Sequence, residues 1–226
     1  MTRRYHAPAL PRPGERATLP LDTSHHLLEV CRHPRGEPLS LFDGAGREMH
    51  CRLIGVDGRQ AVVEGLEELP ACQPRRRVTL LLALCKHQAW ETALRMATEL
   101  GVDEVQPVRT ERCTVRKLRP QRWQKVLVSA CAQSGRRWLP ALAELAPLPR
   151  ALQAPSLPSR RLVLAPGTPR GPECSQGDLA LLVGPEGGLT SNELDLARQA
   201  GFEPAGLCPH VLRVDTAVAA ALALYG

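Results

Sequence analysis

Two rhythms of apolar and polar positions divide the chain. Up to about residue 70 the apolar runs are short and closed by turn residues, the mark of β-structure. Leu39 to Phe42 predicts a strand that ends in the turn Asp43-Gly44. Glu48 to Val56 predicts a second strand, closed by Asp57-Gly58, and Gln60 to Gly65 a third. Asp-Gly between apolar runs signals a hairpin, because both residues tolerate the positive φ of a tight turn. His25 to Arg32 fits one short helix, with Asp22, Thr23 or Ser24 as its cap. Short strands with one helix suggest a small barrel.

Pro70-Ala71-Cys72-Gln73-Pro74-Arg75-Arg76-Arg77 reads as a linker, and beyond it strand and helix patterns alternate. Val78 to Leu84 is a continuous apolar run, as a parallel strand covered on both faces requires. From Gln88 to Leu100, the residues Trp90, Leu94, Ala97 and Leu100 share one helical face, and Gly101 ends the helix. Glu104 to Val108 predicts a strand and Pro120 to Ser134 a helix. Residues 139 to 158, rich in Ala, Leu and Pro, read as a connection with little regular structure. Arg161 to Ala165, Leu179 to Val183 and Pro204 to Leu207 are three more strands. Thr190-Ser191-Asn192-Glu193 is a capping box opening a helix that Gly201 ends, and Asp215 to Leu224 is a final helix. The predicted class is α/β, of βαβ type.

Composition narrows the partners. With 226 residues, 43% of them apolar, the chain is globular and large enough for one big domain or two modest ones. Aromatic residues at 3% argue against a base-stacking platform. A net charge of +6 suggests a polyanion, either nucleic acid or an anionic membrane surface. Arginine dominates over lysine, which occurs only as Lys86, Lys117 and Lys125; codon bias explains that preference but not where the cations cluster. The eight cysteines form no C-x-x-C pair, and no histidine cluster has zinc spacing, so neither a metal nor a disulfide scaffold is expected. A reduced, cytosolic protein without signal peptide or membrane span fits these features.

Three constellations could carry chemistry. The strand Leu179–Val183 runs into Gly184-Pro185-Glu186-Gly187-Gly188, a stiff turn before a helix start. Its spacing matches neither G-x-G-x-x-G nor the phosphate loop, so a tight connection competes with a ligand turn. Glu186 is either a solvated acid, an arginine partner, or a contact to a cation or base edge. The segment Leu207 to Thr216 follows the next strand and holds Pro209, His210, Arg213 and Asp215. Arg213 lies between apolar residues, which implies pairing with Asp215 or Glu186, or contact with an anionic ligand. Both turns follow consecutive strands, where an open α/β sheet binds its ligand. Third, Arg109 to Lys125 carries Arg109, Arg112, Arg116, Lys117, Arg119, Arg122 and Lys125 against the lone acid Glu111, a pattern suited to phosphate contact. Arg136 and Arg137 follow, and Arg3, Arg4, Arg12, Arg16 and Arg32 form a weaker patch.

These residues resemble the 16S rRNA (uracil-N3)-methyltransferases of the SPOUT superfamily. The resemblance rests on Leu182 to Gly188, on Val211-Leu212-Arg213-x-Asp215-Thr216-Ala217, on Thr98 to Val102 with Glu111-Arg112, and on Gln133 to Arg136. Arg4-Tyr5-His6 and the Phe42-Asp43-Gly44 turn fit the family's PUA-like RNA-binding domain. The resemblance implies a PUA-like β-barrel over residues 1–72 and a SPOUT domain over 73–226. It further implies a deep trefoil knot over about 160–226, an exception to the avoidance of knots, and a homodimer. S-adenosylmethionine would bind along three loops. The first is Leu164, Ala165, Pro166 and Gly167. The second is Val183, Gly184, Pro185, Glu186, Gly187 and Gly188. The third is Leu207, Cys208, Pro209, Val211, Leu212 and Arg213. Arg213 would stabilise negative charge and Glu186 would orient the base or accept its proton. Arg3, Arg4, Arg32, Lys86, Arg112, Arg116, Lys117 and Arg136 would contact 16S rRNA or the small subunit.

The implied reaction is methylation of N3 of a specific uridine, uracil 1498 in the family. The chain departs from the family pattern at Cys208, where Gly is expected, and at Ala89, Met96, Ala132, His210 and Asp215. Alternatives are another SPOUT RNA methyltransferase with a different target, such as a ribose 2′-hydroxyl, a non-catalytic rRNA-binding assembly factor, and a Rossmann-type enzyme.

Overall fold

The alternating positions before residue 70 form a mixed five-stranded sheet in the computed structural model, which describes residues 2–71, 76–115, 117–171 and 177–226. Cys72, Arg116, Cys174 and the middle of the proposed linker lie outside the described residues. The chain divides into two compact units: Met1–Pro74 with Cys131–Leu139, and Arg75–Ala130 with Pro140–Gly226.

In the first unit the strands are β1 (Arg3–His6), β2 (Arg16–Thr18), β3 (Pro38–Phe42), β4 (Glu48–Asp57) and β5 (Gln60–Glu68). Their order is β1-β3-β4-β5-β2, with β1 parallel to β3 and the other pairs antiparallel. Along β5, Ala61, Val63 and Gly65 face inward and alternate with half-buried positions, the period-two pattern of a sheet with one wet face. Ala61 and Val63 meet Tyr5, Leu19, Leu27, Leu39, Leu41, Met49 and Leu53 in one core. β1 and β2 were not singled out by pattern because each is too short to show a period.

The helix expected from His25 to Arg32 starts earlier. It runs as α1 (Leu21–His25) and continues as a π-helical turn, His26–Val30. Asp22, Thr23 and Ser24 therefore lie inside α1 and none of them caps it. The hydroxyls are used elsewhere. Thr23 donates to the His6 carbonyl at 2.8 Å, and the buried Ser24 donates to Leu19 O at 3.1 Å and accepts from Ala61 N at 2.9 Å.

The second unit holds β6 (Val78–Ala83), α2 (His87–Glu99) and β7 (Glu104–Arg109), with α3 (Pro120–Ser134) following in the chain. Then come β8 (Ala141–Leu142), β9 (Ala146–Pro147), α4 (Leu148–Leu152), β10 (Arg160–Leu164), β11 (Leu179–Val183), α5 (Ser191–Gln199), β12 (Glu203–Ala205) and α6 (Val214–Tyr225). The sheet order is β12-β10-β11-β6-β7-β8, with β9 also on β7, and every pair is parallel. Every residue of β6 and β11 is buried, as continuous apolar runs demand. Residues 139–158 are more regular than expected: two short strands extend the sheet edge beside β7, and α4 packs near it. No helix among the described residues is long and apolar enough to cross a membrane.

Candidate functional site

β12, β10 and β11 are neighbours in the sheet, and the loops leaving their carboxyl ends converge on one cleft. This is the position at which an open parallel sheet takes a ligand. The loops enclose a cleft of about 330 Å³. Leu164, Ala165 and Pro166 line it from the first loop, Val183 to Gly188 from the second, and Leu207, Cys208, Val211 and Leu212 from the third. Of the sequence candidates for cofactor contact, Gly167, Pro209 and Arg213 are not in its lining. Leu189, Leu194, Ala205, His210, Val214 and Ala217 are additional wall residues. Leu189 and Leu194 flank the capping box, so their place beside the glycine turn was readable; Ala205, Val214 and Ala217 carry no local signal.

The glycine turn is held from three sides. Gly188 has φ +70°, and its N–H donates to Pro185 O at 2.8 Å. The Glu186 carboxylate is exposed, and its Oε1 accepts the backbone N–H of Lys86 at 3.0 Å, at the start of α2, where a negative charge meets the positive end of the helix dipole. Its Oε2 has no hydrogen-bond partner among the described residues. The Arg112 guanidinium donates to Gly187 O at 2.7 Å, and a Cβ on Gly187 would lie 3.3 Å from the Arg112 Cδ. Behind the turn the capping box forms as expected. Thr190 Oγ1 accepts from Glu193 N at 3.3 Å, and Glu193 Oε2 from Thr190 N at 2.9 Å. The buried Glu193 also accepts the N–H of Glu111 at 2.8 Å through Oε1, which ties the segment after β7 to α5.

Arg213 precedes the first residue of α6 in an extended conformation and is exposed. It makes no ion pair with Asp215 or Glu186, so the pairing alternative does not occur and its guanidinium is open to a ligand. Cys85, just past β6, has its thiol pushed up to about 12 by burial and then by the nearby acidic groups of Glu186, Cys113 and Asp215, so it stays protonated near neutral pH. Among the described residues the cleft walls carry no lysine or arginine; their ionisable groups are Glu186, Cys208 and His210. Cys208 Sγ donates to His210 O at 3.3 Å.

The RNA-contact candidates divide. Lys86, Arg112 and Lys117 are exposed in the second unit, Arg112 on the glycine turn. Arg122 pairs with Glu91 at 3.1 Å, so part of the Arg109–Lys125 cluster is neutralised by α2, which the sequence run could not show. In the first unit Arg32 is exposed at φ 47°, and Arg3 donates to Cys31 O at 2.5 Å. Arg4 is the correction. Its guanidinium grips Glu48 at 2.8 and 3.1 Å and donates to the carbonyls of Cys131, Ala132 and Arg136, above the Phe42 ring. Its donors are engaged inside the unit and have none to offer a phosphate. Arg136 is half-buried and donates to Trp138 O at 2.6 Å.

An all-parallel α/β sheet whose three loops wall an apolar, backbone-rich cleft places the second unit among the ligand-binding α/β domains. The profile of the RNA methyltransferase domain matches residues 72–226. The ribosomal RNA small subunit methyltransferase E of Synechocystis is 34% identical, over 92% of this chain and 72% of that protein. The crystal structure of the same-named enzyme from Neisseria gonorrhoeae, bound to S-adenosyl methionine, has a TM-score of 0.89 at 32% identity, covering 99% of this chain and 96% of that one. A Legionella pneumophila protein solved with its bound cofactor SAM has a TM-score of 0.91 at 29% identity, covering 99% and 96%. The chain belongs to the ribosomal RNA small subunit methyltransferase E family.

Proposed function

We propose that the protein methylates N3 of a single uridine in the 16S rRNA of the small ribosomal subunit, with S-adenosylmethionine as methyl donor. The family target, uracil 1498, is the expected position. The observation that carries the reading is the cleft itself: apolar walls and glycine-turn backbone, one carboxylate, and no lysine or arginine among the described lining residues. A phosphate-bearing ligand would want a basic cradle, whereas a sulfonium nucleoside fits these walls. Leu164 to Pro166, Val183 to Gly188 and Leu207 to Leu212 would hold it. Once bound, S-adenosylmethionine supplies a methyl group on a good leaving group.

The protein's own residues do the rest. N3 of uracil is weakly acidic and lies on the pairing edge, so the base must be unpaired and must lose a proton. The free Oε2 of Glu186 accepts that proton or orients the base. The open Arg213 guanidinium stabilises the negative charge on the ring. Lys86, Arg112, Lys117 and Arg116 contact the RNA backbone, as do Arg3 and Arg32 of the first unit, which we read as a PUA-like module. The return of the chain from β12, beyond β10, to α6 against α2 and β11 supports a trefoil knot. Exposed apolar residues on α6 (Ala223, Leu224) and at the cleft mouth (Val211, 79% exposed) support a homodimer. The site of action would be the cytoplasm, where ribosomes assemble.

Primer extension on 16S rRNA from a strain lacking the gene tests this. A stop caused by a methyl on the pairing edge should disappear and return on complementation. A stop that persists overturns the reading, and loss of a ribose methyl instead would assign a different SPOUT target.

A further inference from the structure

Two of the cleft's three loops are joined by a residue that lies outside the cleft. Tyr225, the last residue of α6, is 1% exposed. Its hydroxyl accepts the N–H of Gly171 at 2.9 Å and donates to the carbonyl of Gly206 at 2.9 Å. Gly171 ends the described part of the loop after β10, whose start lines the cleft; Gly206 opens the loop after β12, which lines it too. One oxygen therefore serves a donor in one loop and an acceptor in the other. Gly206 N–H also donates to Pro169 O at 2.8 Å. The contact is tight. A Cβ on Gly206 would lie 2.0 Å from Thr168 O, and one on Gly171 would lie 2.8 Å from the Ala205 Cβ. The carbonyl of Tyr225 accepts from the Arg76 guanidinium, which anchors the helix end. α6 thus meets the site twice: Val214 and Ala217 line the cleft, and Tyr225 ties its loops together.

We propose that Tyr225 is a positioning residue for the cofactor, its hydroxyl holding the loops after β10 and β12 in the arrangement that binds S-adenosylmethionine. The inference rests on the cofactor reading above. Without the hydroxyl, a buried donor and a buried acceptor lose their partner. The loops then part more often, and the apparent Kd rises as the competent fraction falls. Tyr225 does not line the cleft, so the effect falls on binding and not on methyl transfer once the cofactor is bound.

The test is calorimetric titration of Tyr225→Phe with S-adenosylmethionine, beside steady-state kinetics on small subunits. Phe keeps the ring and its packing. The expected result is a Kd and a cofactor KM about tenfold higher, with kcat at saturating cofactor within about twofold of wild type. Amide exchange at 165–171 and 206–212 should be faster in the unliganded variant. Leu222→Ala, a buried change about one turn earlier on the same helix, should lower Tm and leave Kd unchanged. Equal cofactor affinity in wild type and Tyr225→Phe overturns this inference alone. Equal weakening by Leu222→Ala also overturns it, because the effect is then general loosening. A wild-type protein that binds no S-adenosylmethionine overturns the cofactor reading and this inference together.

Discussion

Glu186 and Arg213 show how little separates a loop residue from a working one. Both are exposed, and each keeps an unengaged polar edge beside the same cleft. Glu186→Gln retains an acceptor for the Lys86 N–H but removes the charge, so the turn should hold while the reaction slows. Arg213→Ala removes a group with no structural partner. We expect Arg213→Ala to lower kcat at least about 100-fold and Glu186→Gln about 10- to 100-fold at neutral pH, with thermal midpoints near wild type. Methyl incorporation into small subunits and a melting curve check both. Unchanged incorporation in Arg213→Ala would remove it from the chemistry.

Among the elements, α5 illustrates a local signal with a non-local use. Thr190 and Glu193 predict the helix start from sequence, and the capping box forms. The second Glu193 oxygen reaches Glu111 N, 82 residues earlier in the chain, so the same carboxylate ties the segment after β7 to the helix behind the glycine turn. Glu193→Ala strands two N–H groups and should cost about 2 kcal/mol. A urea titration measures it; a loss no larger than a simple surface cap, about 0.5 kcal/mol, would mean that water replaces the Glu111 contact. α1 is the opposite case. Asp22, Thr23 and Ser24 look like caps, but Thr23 and Ser24 find their partners on β1, before α1 and on β5. Tertiary hydrogen bonds there override the local preference.

At the scale of the whole molecule, stability should fall on acidification, and the groups responsible sit in the first unit. Burial holds the His6 imidazole below its ordinary value of 6.5, against the pull of Asp43. Burial alone would raise the Glu48 carboxyl, but Arg4 and Arg137, the latter at 2.7 Å, outweigh it and hold it below 4.5. Each group has its pKa depressed on folding. The unfolded chain therefore binds more protons as pH falls, and stability present above the unfolded value is lost on the way down to the folded one. Loss should begin below about pH 6.5 through His6 and resume below about 4.5 through Glu48. Glu48→Gln should flatten the lower step and cost about 3 kcal/mol at neutral pH, because it leaves two largely buried guanidiniums without their charge partner. Urea midpoints from pH 7 to 3.5 decide it; a midpoint independent of pH overturns the assignment.

What the sequence determined by itself is local and periodic. The all-buried runs of β6 and β11, the helical stripe of α2, the capping box and the two turns after β11 and β12 are written in neighbouring residues, because burial on both faces, a 3.6-residue period and backbone caps act over a few positions. Two of the cleft's loops, after β11 and β12, were marked by glycine and proline, whereas Leu164 to Pro166 came forward only through the family resemblance. What only the tertiary structure decided is which distant groups meet. Arg4 looked like a free cation until Glu48 and three carbonyls took up its donors. Arg213, between apolar neighbours, could have been paired with Asp215 or Glu186 until the start of α6 placed it in solvent without either. Tyr225 fell just past the helix predicted over Asp215 to Leu224, with no role, until its hydroxyl met Gly171 and Gly206, 54 and 19 residues away. Hydrogen bonds and ion pairs of that separation depend on the path of the whole chain, and no short window of residues encodes it.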